Sequence, residues 1–454
     1  MSFFFLLIAS AALVARGNEV SSAMPQTLAE RPELGDMPAA YAMVHYNFYS
    51  ADVSAMLVSY FTPSASVTWV DFGTAPNALG TRVMGSSAQW HKGNGFTHTA
   101  VLSGLQHATT YYFRCGNDTV VHSFRTRAAN QQRIVVGVVG DMGIENSANT
   151  IARFTQRATG GAFDFALHIG DVSYADDHFL WFQKTWFAWF AMMNETLAAV
   201  PYMTLPGNHE HGTLDPFIYA DAHNFQVYNH YFNMPKPAAE LRNGSMFYSF
   251  NYGPVHFVQI STETSYPNAP WDVADFGDQM SWLVADLTAA NTPAARKAQP
   301  WIVVSGHRPI YSSSEGYSKN GIPIDSPLPF VPCNSLTLQK TFEKIFNTFE
   351  VDLVLAGHVH SYERLYPTLR NQPVQTDYTS PSAPVYVVVG NAGSIEGLTD
   401  TSSKGWTLPQ PAWSAVRIGV FGYGVLEVNG AHTLKWSMFN ATDDGLLDTF
   451  TISK

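Results

Sequence analysis

Seven apolar runs, six of them closing on a glycine, constrain this chain more than any other feature. They are Ile134 to Gly140, Phe163 to Gly170, Tyr202 to Gly207, Val255 to Ile260, Trp301 to Gly306, Val351 to Gly357 and Val385 to Gly390. Uninterrupted apolar strands are buried on both sides, so they predict a sheet covered by helices or other layers, an α/β class of fold. Two intervening segments have helical period: Gln279 to Ala290, with Met280, Leu283, Val284 and Leu287 on one face, and Ser335 to Phe349, with Leu338, Phe342, Ile345 and Phe349. In such sheets function collects beyond the carboxyl ends of the strands.

Those ends carry the side chains that bind metals. Asp141 follows Gly140, Asp171 and Tyr174 follow Gly170, Asn208 and His209 follow Gly207, His307 follows Gly306, and His358 and His360 follow Gly357. A single Gly-Asp after a strand is most often a turn, because both residues suit turns. Two Asp, one Asn, one Tyr and three His on loops at one edge of one sheet do not converge for packing. Carboxylate and phenolate oxygens suit a hard, highly charged ion, whereas imidazole with an amide oxygen suits a borderline divalent ion such as zinc, manganese or ferrous iron. The set therefore divides into two metal sites. The preceding glycines let the backbone turn sharply enough to bring a side chain close to an ion.

The rest of the chain is organised around this half. At 454 residues it is too long for one core, so two or three domains are expected. From Tyr41 to Thr126 apolar and polar residues alternate and Val, Thr, Tyr and Phe abound, with a turn at Thr74 to Asn77; this predicts a small antiparallel β-sandwich. Small and polar residues at Ala128 to Gln132 mark a linker. With 46% hydrophobic and 13% charged residues, a net charge of −11 and no Lys/Arg block, the composition gives large cores and argues against nucleic acid or an anionic membrane surface as partner. The apolar run Ser2 to Val14 is too short to span a bilayer but suits a signal peptide cleaved after Gly17, which predicts export; a buried N-terminal helix is the alternative. No later stretch reads as a membrane span. Sequons begin at Asn117, Asn194, Asn243 and Asn440. Cys115 and Cys333, far apart, leave a single bridge, an intermolecular bridge or two free thiols open.

The five ligand blocks, in this order, resemble the signature of purple acid phosphatases within the calcineurin-like metallophosphoesterases. The resemblance extends to Ser361-Tyr-Glu-Arg364, to Asn391-Ala-Gly-Ser-Ile-Glu-Gly397 and to the run from Tyr423, and Tyr174 is its specific mark. It implies a β-sandwich-centred metallophosphoesterase domain flanked by helices over 133–454, preceded by a fibronectin-III-like all-β domain over 24–129 and the signal peptide at 1–17. Carried over by position, it implies that Asp141, Tyr174 and His360 hold Fe3+, that Asn208, His307 and His358 hold a second divalent metal (Zn2+, Fe2+ or Mn2+), and that Asp171 bridges them. The implied activity is a secreted acid phosphatase in which a metal-bound hydroxide attacks small-molecule phosphate monoesters. His209 is then the substrate-binding residue that donates a proton to the leaving alcohol. Where relatives carry further histidines after the ligand matching His307, this chain has Glu315-Gly-Tyr317, so Glu315 and Tyr317 are the candidate substrate contacts. Arg308 is open to a structural pairing or a phosphate contact, and a homodimer is neither required nor excluded.

Two other readings compete with this one. A metallophosphodiesterase or nucleotide hydrolase would use the same ligand blocks with a divalent pair, and Tyr174 argues against it. An inert secreted binding protein would have lost ligands, and all seven are present.

Overall fold

The computed structural model describes residues 36–49, 54–212, 222–235, 245–266, 269, 279–314, 316–325, 334–399 and 405–454. The expected signal peptide, Asn243, Glu315 and Cys333 lie outside them. The N-terminal part is all β, as its alternating pattern predicts. Strands β1 (Ala42–Phe48), β2 (Met56–Thr62), β5 (Ser86–Ala88) and β6 (Phe96–Leu102) pair in the order β1-β2-β6-β5. Strands β3 (Trp69–Gly73), β4 (Thr81–Met84), β7 (Thr110–Cys115) and β8 (His122–Arg125) pair in the order β4-β3-β7-β8. Tyr46, Phe113 and Phe124 fill the space between the sheets. Cys115 is buried there as a free thiol.

Each of the seven apolar runs is a strand, but they do not form one sheet. Strands β9 (Arg133–Val139), β10 (Phe165–Ile169) and β11 (Tyr202–Leu205) run parallel, and β9 then pairs antiparallel with β23 (Gly422–Asn429), followed by β24 (Thr433–Asn440) and β25 (Leu446–Ser453). The second sheet joins β12 (Tyr248–Tyr252), β13 (Val255–Gln259), β14 (Trp301–Ser305), β17 (Leu353–Ala356), β21 (Val385–Val389), β18 (Tyr362–Leu365) and β22 (Ser414–Ile418) in that order, parallel from β13 to β21. Among the described residues two short hairpins complete the set: β15 (Ser318–Lys319) with β16 (Ile322–Pro323), and β19 (Thr368–Leu369) with β20 (Gln372–Pro373). Phe165 of the first sheet meets Phe250 and Phe257 of the second, ring centroids 5.6 and 5.3 Å apart. The expectation of a single edge is corrected accordingly: the ligand loops come from two facing sheets.

Among the described residues six helices flank the sheets: α1 (Ala148–Thr159), α2 (Phe182–Ala199), α3 (Gln226–Tyr231), α4 (Gln279–Ala290), α5 (Pro293–Ala298) and α6 (Ser335–Thr348). The segments read as helical are α4 and α6. In α4 Leu283 and Leu287 are buried, whereas Val284 is 40% exposed, so the apolar face is narrower than its sequence suggests. In α6 the buried stripe is Leu338, Phe342 and Phe346. Helix α2 is apolar on nearly all sides and correspondingly enclosed: Trp186, Trp189, Phe190 and Met193 are buried, and it packs on the N-terminal sandwich through Phe61–Phe187 and His45–Phe190. Asn47 Nδ2 donating to Asn233 O at 2.8 Å and Trp90 Nε1 donating to Gln183 Oε1 at 2.9 Å tie the sandwich to the larger part. Among the described residues no helix is long and apolar enough to cross a membrane.

Candidate metal centre

The loops that follow β9 and β10 continue the pairing of their strands: Asp141 N donates to Gly170 O and Met142 N to Asp171 O. On the other sheet Gly306 N donates to Leu355 O and Gly357 N to His307 O. The two edges are cross-linked where Ala392 N and Gly393 N, just after β21, donate to Gly140 O and Asp141 O. Asp141, Asp171, Tyr174 and His358 all sit in the left-handed region, with φ of 58°, 53°, 56° and 66°. Such strain persists only where the surrounding structure holds it. A Cβ on Gly207 would collide with the Asp171 carboxylate, and one on Gly357 with that of Asp141, so glycine is needed at both approaches.

All seven expected ligands come together around two convergence points. His360 Nδ1 donates to Gly397 O at 3.0 Å, which leaves Nε2 as an acceptor facing Tyr174 Oη at 3.0 Å and Asp141 Oδ1 at 3.3 Å. His307 Nδ1 donates to Ile169 O at 3.0 Å, which leaves Nε2 as an acceptor 3.0 Å from Asp171 Oδ2 and 3.2 Å from Asn208 Oδ1. His358 joins the second point, one of its ring nitrogens, one of His307 and a carboxylate oxygen of Asp171 lying within 4.8 Å of one another. Asp171 Oδ2 is also 3.4 Å from Tyr174 Oη and so stands between the two.

Lone pairs aimed at one another in a buried space require a proton or a metal cation between them. The electrostatics show the same demand. Burial alone lowers the pKa of His307, yet the charges of Asp171 and Asp141 outweigh it and raise it to about 9. Burial raises Asp141, whereas at Asp171 the surrounding imidazoles overcome burial and hold the carboxyl well below its usual range. Burial, then the two carboxylates, push the Tyr174 phenol well above 10. Only a strong positive charge beside Tyr174 reverses that and admits a phenolate. Chemistry, direction and glycine-lined approach all fit a pair of cations.

Two supports, Asp176 and Glu210, were not read from the sequence. His209 Nδ1 lies 2.9 and 3.0 Å from the Asp176 carboxylate oxygens, and its ring lies over that of Tyr174 at 4.1 Å. Burial lowers His209, but Asp176 and Asp171 overcome it and leave its pKa well above 6.5. Glu210, buried, accepts from the backbone N–H groups of Asp171, Val172 and Gly207, each at 2.8 Å, and locks two ligand loops together. Asp176 and Glu210 sit two and one residues past the ligand blocks, where only the fold shows their direction. Arg308 is resolved toward a structural role: its Nε lies 2.9 and 2.8 Å from the oxygens of buried Glu263, and its Nη1 lies 2.8 Å from His358 Nε2. Tyr317 is half-buried, its ring edge-on to that of His358 at 5.7 Å.

The calcineurin-like phosphoesterase pattern matches residues 134–362, the purple acid phosphatase N-terminal domain 42–126, and the C-terminal region of iron/zinc purple acid phosphatase-like proteins 383–449. Purple acid phosphatase 21 of Arabidopsis thaliana is 31% identical over 86% of this chain and 79% of its own length. This chain belongs to the purple acid phosphatases. The human acid phosphatase type 7 is 30% identical over 89% of either chain. A purple acid phosphatase from yellow lupin seeds shares the fold with a TM-score of 0.74 at 21% identity, over 92% of this chain and 75% of its own. As a member of the purple acid phosphatases the chain is an acid phosphatase with a dinuclear metal centre.

Proposed function

We propose that the chain hydrolyses small-molecule phosphate monoesters, with Fe3+ held by Asp141, Tyr174 and His360, a divalent ion held by Asn208, His307 and His358, and Asp171 between them. The observation that carries this reading is the pair of lone-pair convergences at His360 Nε2 and His307 Nε2, one with a phenol and a carboxylate, the other with an amide and a carboxylate. The first donor set suits a hard trivalent ion and the second a borderline divalent one. When bound, the ions supply Lewis acidity to water and to the phosphoryl oxygens.

The protein's own groups do the rest. Asp176 accepts from His209 Nδ1 and so turns Nε2 toward the centre, 4.0 Å from Asp171 Oδ2. Protonated there, His209 neutralises a phosphate oxygen and donates to the departing alkoxide. Tyr317 contacts the ester from the His358 side. The apolar run at Ser2 to Val14 and the exposed sequons at Asn117 and Asn194 support export and glycosylation.

Hydrolysis of a nitrophenyl monoester and the matching diester at pH 5, with metal analysis of the same sample, tests the reading. Preference for the monoester with iron in the protein is the expected result. Preference for the diester with two divalent ions and no iron would move the chain to the phosphodiesterase reading.

A further inference from the structure

Glu363 is a fully buried carboxylate that the proposed chemistry does not use. It accepts from Ser313 N at 2.8 Å, Ser414 Oγ at 2.6 Å, Ser312 Oγ at 3.2 Å and the Ser313 hydroxyl. All four donors are neutral. Arg417, whose charge reaches Glu363 only weakly, instead donates to Ser414 Oγ at 3.3 Å and Thr407 O at 3.2 Å. A buried carboxylate without an ion pair costs stability that an apolar residue would not, so a full set of donors around it indicates a geometric requirement.

That requirement is visible in the segment it holds. The serine run leads into the loop that carries Tyr317. Ser313 O accepts from Thr407 N at 2.8 Å, Ser314 forms a bridge with Trp406, and Ser314 Oγ donates to Gly405 O at 3.3 Å. Tyr317 N then donates to Ser314 O at 3.1 Å and closes a turn through Gly316, whose φ is 90°. Beyond it, Ser318 Oγ meets Thr407 Oγ1 at 3.1 Å. The loop is thus clamped from below by Glu363 and from the side by 405–407, and the side chain it delivers to the metal site is Tyr317, edge-on to His358.

We infer that Glu363 is a positioning residue: through Ser312, Ser313 and Ser414 it fixes where Tyr317 meets the phosphate ester. The inference rests on the proposed contact between Tyr317 and substrate. Glu363→Ala removes the acceptor of all four donors. The hydroxyls can turn to other partners, whereas the Ser313 backbone N–H cannot.

The test is steady-state hydrolysis of a nitrophenyl monoester by metal-loaded wild type, E363A, Y317A and the double variant, with metal content measured on each. We expect E363A to raise KM about tenfold, the scale of one or two lost hydrogen bonds, with kcat and metal content close to wild type. In the Y317A background the same substitution should leave KM unchanged, because a residue that acts through Tyr317 has nothing left to position. A raised KM in Y317A with none in E363A would overturn the inference and leave the Tyr317 contact standing, as would effects that simply add. Unchanged KM in Y317A would overturn the contact and the inference together. Should E363A not fold, S414A removes one donor and leaves the other three in place, and the same comparison with Y317A decides.

Discussion

An enzyme that works in acid carries a built-in acid liability in its N-terminal sandwich, at His98. The ring is buried and stacked on Tyr60, centroids 4.6 Å apart and 6° from parallel, and each nitrogen faces a threonine hydroxyl at 2.6 Å. Thr62 Oγ1 donates to Ser64 O, so it accepts from His98 Nε2–H, and Nδ1 in turn accepts from Thr68 Oγ1. The site is built for a neutral imidazole. Burial accordingly lowers the pKa from 6.5 to about 4. With the folded value below the unfolded one, the unfolded chain binds more protons between pH 6.5 and 4, so stability is complete above 6.5 and is lost as pH falls through that window. From these two values the loss is about 2 kcal/mol at pH 5 and approaches about 3 kcal/mol below pH 4. The check is urea unfolding of the metal-loaded protein at pH 7 and pH 5, for wild type and His98→Gln. The variant is destabilised at both pH values, and its further loss from pH 7 to 5 should be smaller than that of wild type by about 2 kcal/mol. Metal release affects both proteins alike and cancels in the comparison. Equal losses in the two proteins would refute the reasoning.

Other sites give independent expectations. Asp176→Asn frees the His209 ring and should lower kcat/KM for monoesters about tenfold or more, with metal content unchanged; steady-state kinetics beside metal analysis read both. Glu210→Ala unties the Asp171 and Asn208 loops, so the purified variant should retain less metal per chain than wild type. Phe190→Ala opens a cavity where α2 meets the sandwich and should cost about 3–5 kcal/mol in chemical unfolding without moving KM; a KM shift would show that α2 reaches the site.

What the sequence made legible was local. Strands β9, β10, β11, β14 and β17 read as continuous apolar runs because both faces are buried, and the glycines after them mark close approaches that Gly207 and Gly357 do make. The division into two sheets was hidden because it depends on β9 pairing with β23, nearly three hundred residues downstream, and no local pattern encodes that choice. Helix α2 was missed for the opposite reason: with Trp and Phe around most of its circumference it shows no amphipathic stripe, since both the sandwich and the sheet cover it. At the site, ligand types were readable from their spacing after strands. Asp176, Glu210 and Glu363 were not, because each acts through a partner at least thirty residues away in sequence.

The central claim is that Tyr174 and His360 face one ion and His307 and Asn208 another. Its most direct test is the visible absorption spectrum of the purified protein and of Tyr174→Phe, with iron determined in both. The account expects a broad charge-transfer band in wild type that survives mild reduction and is absent from the variant, while the iron bound by Asp141, Asp171 and His360 remains detectable. A colourless wild-type protein holding two divalent ions would contradict it.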